Sequence, residues 1–271
     1  MRVEEVRVCI ARVGGTNCDL ETKLAFEDLG VRVDVVHMSR LVGRGLSDYH
    51  ILVFPGGFSY GDHIRAGAVW AKELLAKLMG ELKGFLEEGK PILGICNGFQ
   101  VLVEAGLLPG FEGISPYPEA ALATNNSNVY ECRWVYLKHE NRGNCVFTWK
   151  LDHGALVRMP VAHAEGKLVF PSGKAEKVLE KLYENDQLVF RYAKPDGTYA
   201  EGEYPYNPNG SFHDIAGICN PWGNVFGLMP HPERAYYGWQ LPDWTRLREP
   251  PEYGDGRLIF ESAVEYVVRK F

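Results

Sequence analysis

The sequence predicts an α/β fold: a mostly parallel central sheet with helices on both faces and an antiparallel addition. Three observations carry that expectation. Valine- and isoleucine-rich runs alternate with helix-length segments through the first third of the chain, and strand–helix repetition at this spacing builds a parallel sheet covered on both sides. Beyond about residue 125 the texture changes to short strand candidates separated by turn residues, as antiparallel pairing requires. No linker, repeat or low-complexity stretch divides the chain, so residues 1–271 read as one domain.

Taken in order, Val6 to Val13 is a buried strand bounded by Gly14-Gly15. LETKLAFEDLG follows as a helix, with Asp19 as N-cap, Leu20, Leu24 and Ala25 on one face and Gly30 as the stop. Val31 to Val36 and Ile51 to Phe54 are the next strands, the second ending at Pro55-Gly56-Gly57. AGAVWAKELLAKLMGELKGFLEEG is helical with a break expected near Gly80, PILGI is a fourth strand, and NGFQVLVEAG opens a helix directly after it. In the second half YECRWVYL, CVFTW, MPVAHA, KLVF and QLVFRYA are strand candidates, and a helix spans roughly Lys174 to Asn185. AGIC and NVFGLMP pair across NPWG, and GRLIFESAVEYVVRKF closes the chain as an amphipathic helix.

Composition narrows the function classes. A formal net charge of −6 without a basic, aromatic-laced stripe argues against nucleic acid. Six cysteines without a C-x-x-C pair suggest reduced thiols in the cytoplasm and argue against a zinc site. The charged N-terminus is no signal peptide, and no stretch approaches the ~18 apolar residues of a membrane span.

One short segment carries chemistry. In Gly94-Ile95-Cys96-Asn97-Gly98 a strand ends, a thiol sits between two glycines and a helix begins. This is the pattern that holds a nucleophile on a tight strand-to-helix turn. The flanking glycines approach each other too closely for side chains. The helix starting near Asn97 directs free N–H groups at the sulfur, favouring the thiolate and offering donors to an oxyanion. A thiol nucleophile needs a base with an orienting group. Two H-x-E arrangements qualify, His163-Ala164-Glu165 and His231-Pro232-Glu233. The proline of the second fixes the backbone between its two groups, which favours His231 without excluding His163. A second oxyanion donor is expected from the Gly56-Gly57 turn at the carboxyl edge of the sheet.

Together these motifs resemble a class I, or triad, glutamine amidotransferase. GGTNCDLET, PGGFSYGDHIRAGA, ILGICNGFQVL, NNSNVYECRW, VAHAEGK, NPNGSFHDIAGICN and GNVFGLMPHPER follow in the order seen in the amidotransferase subunits of phosphoribosylformylglycinamidine synthase, across almost the whole chain. The resemblance implies a class I glutamine amidotransferase-like fold and a Cys-His-Glu triad. Cys96 matches the nucleophile, His231 the base and Glu233 the orienting carboxylate. The amides of Gly57 and Asn97 match the oxyanion-hole positions, and Gln100 matches a residue that holds the amino-acid end of the substrate. It also implies glutamine as substrate, no metal or cofactor in this chain, and ATP and magnesium on a large synthetase subunit, with a small third subunit beside it. The chain itself has no G-x-x-x-x-G-K-[ST] loop; at Ser172-Gly173-Lys174-Ala175 both the first glycine and the hydroxyl are missing.

Two other classes fit parts of this pattern: a cysteine hydrolase or protease on a related scaffold, and a non-catalytic scaffold protein, which would lack a triad member. The Trp- and Pro-rich stretch Gly238 to Gly256 is either a packed surface loop or a contact for a partner subunit. Thr16, Asn17 and Asp62 receive no role.

Overall fold

The computed structural model describes all 271 residues. The first third runs β1 (Arg7–Arg12), α1 (Asp19–Glu27), β2 (Arg32–His37), α2 (Met38–Arg44), β3 (Ile51–Phe54), α3 (Ala68–Glu87), β4 (Ile92–Ile95) and α4 (Asn97–Glu104). Then come β5 (Ala121–Ala123), β6 (Glu131–His139), β7 (Leu156–His163), β8 (Lys167–Val169), α5 (Ala175–Glu184), β9 (Leu188–Ala193), β10 (Ile215–Cys219), β11 (Val225–Leu228) and α6 (Arg257–Lys270).

Nine strands form one sheet in the order β2-β1-β3-β4-β11-β10-β9-β6-β7, and β5 pairs with β8 apart from it. The pairings from β2 to β11 are parallel and those from β11 to β7 antiparallel. The antiparallel addition therefore extends the same sheet. Every residue of β3 and β4 is buried, which requires cover on both faces. Helix α1 packs on β1 and β2 and meets α6, while α3 packs against α2 and α4. One apolar cluster runs from Val6 to Val267 through both halves, with edge-on ring contacts at Phe26–Phe260 and Phe54–Trp70.

Four expectations are corrected. Leu20 and Leu24 do not face the core: they are 65% and 58% exposed, and α1 buries Thr22, Ala25 and Phe26 instead. Cys18, not Asp19, occupies the N-cap position; Asp19 opens the helix and pairs with Arg12 at 3.3 Å. Helix α3 passes unbroken through Gly80, because a buried stripe of Trp70, Leu74, Leu78, Leu82 and Phe85 holds it to its neighbours. CVFTW is a turn: Cys145 and Phe147 are buried, but Val146 bonds back to Gly223 and the run joins no ladder. Helix α2 and strand β5 were not anticipated.

Candidate active site

The site forms where parallel strands end. Strand β4 stops at Ile95, and Cys96 takes φ 50° and ψ −104° before α4 starts. A positive φ at a non-glycine residue is strained. Close approaches hold the strain in place. A Cβ on Gly98 would lie 1.8 Å from the Phe54 carbonyl oxygen, and one on Gly94 would lie 2.7 Å from that of Gly98. Both glycines are required by contact, as the elbow pattern predicts. Cys96 itself is 4% exposed, and its thiol donates weakly to the Ala162 carbonyl at 3.6 Å.

Register brings the distant histidine to the thiol. Strand β11 lies parallel to β4 with Leu228 beside Ile95, and the Cys96 amide donates to the Leu228 carbonyl at 2.8 Å. The segment leaving β11 therefore emerges beside the elbow. His231 is anchored there by its own amide, which donates to Pro160 of β7 at 2.8 Å. His231 Nδ1 donates to Glu233 Oε1 at 2.5 Å, and Nε2 has no protein partner although the ring is buried. Burial opposes charge on this imidazole, but the Glu233 carboxylate, followed by the sulfur of Cys96, outweighs it and raises the pKa well above the histidine range. Cys96 and His231 both line a cavity of about 160 Å³.

The two expected oxyanion donors are tied to each other. Gly57 lines the same cavity at φ +147°, where a Cβ would meet the Gly15 carbonyl oxygen at 2.6 Å. Asn97 stands in the first turn of α4, whose amides have no carbonyl of that helix to bond. Its side chain accepts from the Ser59 amide at 3.1 Å, bracing the Gly57 loop against α4. Gln100 lines the cavity with its amide engaged: it donates to the Glu165 carbonyl at 2.5 Å and accepts from Asn97 at 2.9 Å.

His163 also lines the cavity, but its ring is committed elsewhere. Nδ1 meets Asn125 at 3.2 Å and Nε2 meets Asn209 at 3.4 Å. Burial, helped by the neighbouring His231, pushes its pKa down to about 3. Glu165 turns away to accept from the Ala66 amide at 3.1 Å. The first H-x-E pair thus forms no dyad.

Sequence reasoning missed Cys18, Tyr130, Asp62 and Arg234 as cavity residues. Cys18 follows β1, and its loop accordingly reaches the carboxyl edge of the sheet, where such folds bind ligands. The Cys18 sulfur accepts from the Arg234 guanidinium at 3.1 Å. Gly56 makes room for this crowd, since a Cβ there would lie 2.8 Å from the His231 ring and 3.0 Å from the Cys18 sulfur. Cys18, His231 and Glu233 place ligand atoms within 4.8 Å of one another. The guanidinium beside the sulfur and the 2.5 Å His231–Glu233 bond suit a base with its orienting group better than a cation. A larger cavity of about 520 Å³, lined by Lys83, Leu86 and Trp222 among others, holds neither thiol nor imidazole.

Comparison with known proteins places this site in context. The chain matches the CobB/CobQ-like glutamine amidotransferase domain over residues 5–267. It is 51% identical to the phosphoribosylformylglycinamidine synthase subunit PurQ of Archaeoglobus fulgidus, covering 97% of this chain and 98% of that one. The subunit of the same name from Methanococcus maripaludis is 43% identical, over 93% and 94% of the two chains. Among solved structures, a chain of PurLQS from Thermotoga maritima superposes with a TM-score of 0.72 at 35% identity, covering 97% of this chain and 99% of that one.

Proposed function

The chain belongs to the CobB/CobQ-like glutamine amidotransferase family, and from that premise we propose that it is the glutaminase subunit of phosphoribosylformylglycinamidine synthase, working through Cys96, His231 and Glu233. One observation carries the assignment of roles: an imidazole held at Nδ1 by a buried carboxylate, with Nε2 unpartnered, in the same cavity as a thiol on a strained elbow.

The chemistry follows from the geometry. Cys96 thiolate attacks the side-chain amide carbon of glutamine. The oxygen gains charge within reach of the Gly57 and Asn97 amides. Imidazolium at His231 gives its Nε2 proton to the leaving nitrogen, the C–N bond breaks, and ammonia departs from a glutamyl thioester. His231 then takes a proton from water as the hydroxyl adds to the thioester carbon. The C–S bond breaks and glutamate leaves. Glu233 holds the ring in one tautomer and stabilises its charge throughout. The 271 residues act as one domain, with Gln100 helping to hold the substrate.

Ammonia passes to a large synthetase subunit that binds ATP and magnesium and converts formylglycinamide ribonucleotide to formylglycinamidine ribonucleotide. A small third subunit completes the complex. The naming of the relatives and the absence of a phosphate loop in this sequence support that division. No helix of the chain is long and apolar enough to cross a membrane, in keeping with a role in the cytoplasm.

The test uses the reconstituted complex. Cys96→Ala abolishes glutamine-dependent synthesis and spares synthesis from ammonium salts. Loss of both would mean that Cys96 serves assembly instead. A glutamine-like electrophile adds its mass at Cys96.

A further inference from the structure

Two thiols line the small cavity, and the hydrolytic chemistry uses one of them. Cys96 stands on the elbow. Cys18 enters from the loop after β1 and is 2% exposed. Its backbone is pinned to the strand end that carries Gly56. The amides of Asn17 and Cys18 both donate to the Gly56 carbonyl, at 3.3 and 3.2 Å, and the Thr22 hydroxyl donates to the Cys18 carbonyl at 2.7 Å. The sulfur is pinned too: it donates to Asn17 Oδ1 at 3.1 Å and accepts from the Arg234 guanidinium at 3.1 Å. Arg234 also reaches Glu21 of α1 at 3.4 Å. It belongs to the short turn Pro232–Ala235, which carries Glu233 and directly follows His231. This one turn therefore holds the imidazole through a carboxylate at Nδ1 and holds Cys18 through a guanidinium.

Sulfur and ring meet at one point. A Cβ on Gly56 would touch both, at 2.8 Å from Cε1 of His231 and 3.0 Å from the Cys18 sulfur. The sulfur also lies within 4.8 Å of a His231 ring nitrogen and a Glu233 carboxylate oxygen. Burial pushes the Cys18 pKa up, against the imidazole and guanidinium beside it, and so favours the neutral thiol. A neutral thiol fills the space beside the ring without drawing away the Nε2 proton that the leaving nitrogen needs. An imidazole tied at one nitrogen can still tilt about that bond, and a misplacement of about 1 Å can cost about a hundredfold in rate. We infer that Cys18, clamped by Arg234, is a positioning residue of the reaction: its sulfur backs the ring of His231 and keeps Nε2 aimed into the cavity shared with Cys96. This rests on the glutaminase reading and gives work to a thiol and a guanidinium that the triad leaves idle.

The experiment measures glutamine-dependent synthesis by the reconstituted complex, with synthesis from ammonium salts as the control for assembly. Cys18→Ala is expected to lower kcat for glutamine by about 10- to 100-fold and to keep KM within about twofold, because the base is misaimed while substrate binding is untouched. Cys18→Ser should lose less: its hydroxyl still accepts from Arg234 but stands back from the ring. Arg234→Met is expected to lower kcat in the same way. Adding Cys18→Ala to it should cost less than about threefold more, since both changes break one support. The inference is overturned if Cys18→Ala keeps the wild-type kcat or raises KM instead. It is likewise overturned if serine does no better than alanine, if the Cys18 and Arg234 losses multiply in the double variant, or if the ammonium rate falls in step with the glutamine rate. Failure of the glutaminase reading would look different: no glutamine-dependent synthesis by the wild-type complex, or full activity in Cys96→Ala.

Discussion

His231 and His163 share a cavity and a local H-x-E sequence, yet they behave as opposite acids. His231 keeps a carboxylate at 2.5 Å, and its pKa is raised. His163 has two amides and deep burial, and its pKa falls to about 3. For His231 the charged ring survives until pH rises through the raised value, so the basic limb of the glutamine pH–rate profile marks its loss. Glu233→Gln removes the largest influence raising that pKa, and the basic limb should move to lower pH by about one to three units; an unmoved limb would assign it to another group. For His163 the sign reverses. Between pH 6.5 and about 3 the unfolded chain holds a proton that the folded ring refuses, so wild type loses stability as pH falls through that window. His163→Asn should cost about 1–3 kcal/mol at neutral pH, through the partners it leaves unpaired. It should also flatten the stability loss on acidification, leaving the basic limb of the rate profile in place. Denaturant titrations at several pH values check both.

At the scale of elements, the strand–turn–helix unit around Cys96 works because glycine appears where backbones collide. Gly98 is the tightest case, with 1.8 Å available to a Cβ. Gly98→Ala should therefore destabilise by more than about 2 kcal/mol, the usual scale of overpacking. Gly80, in the middle of α3, makes the opposite case. Nothing lies within 4 Å of its missing Cβ, so Gly80→Ala should stabilise by about 0.5–1 kcal/mol through helix propensity. Equal effects at the two positions, measured by chemical denaturation, would contradict this reading. Helix α1 shows the limit of periodicity. Leu20 and Leu24 are spaced as a core stripe would be, but contact with β1, β2 and α6 sets the rotation that buries Phe26. The CVFTW run fails similarly: a short apolar run marks burial, and only neighbours decide whether it extends into a ladder.

Over the whole molecule, the sheet couples the two halves of the chain. Cys96 follows β4 and His231 lies in the segment after β11, and those strands are adjacent. Because one apolar cluster spans both halves, heating or denaturant should unfold the parallel and antiparallel regions together. Far-ultraviolet dichroism and tryptophan fluorescence should trace the same transition; two separated transitions would split the chain into two units. The Gly238 to Gly256 stretch is folded back at its ends, with Tyr237 bridged to Tyr253 and Trp239 stacked on Tyr237 at 5.3 Å, and its central residues are largely exposed.

The sequence by itself determined the alternation of strand and helix, the elbow at Cys96 and the pairing of His231 with Glu233. Each of these is local: hydrophobic period, glycine spacing and a proline between two side chains act over a few residues. Tertiary structure alone decided which face of α1 is buried, that His163 is locked by Asn125 and Asn209, and that Cys18, Asp62, Glu165 and Arg234 converge on one cavity. Those outcomes depend on strand order and register, which bring together side chains from loops far apart in the chain and leave no periodic trace along it.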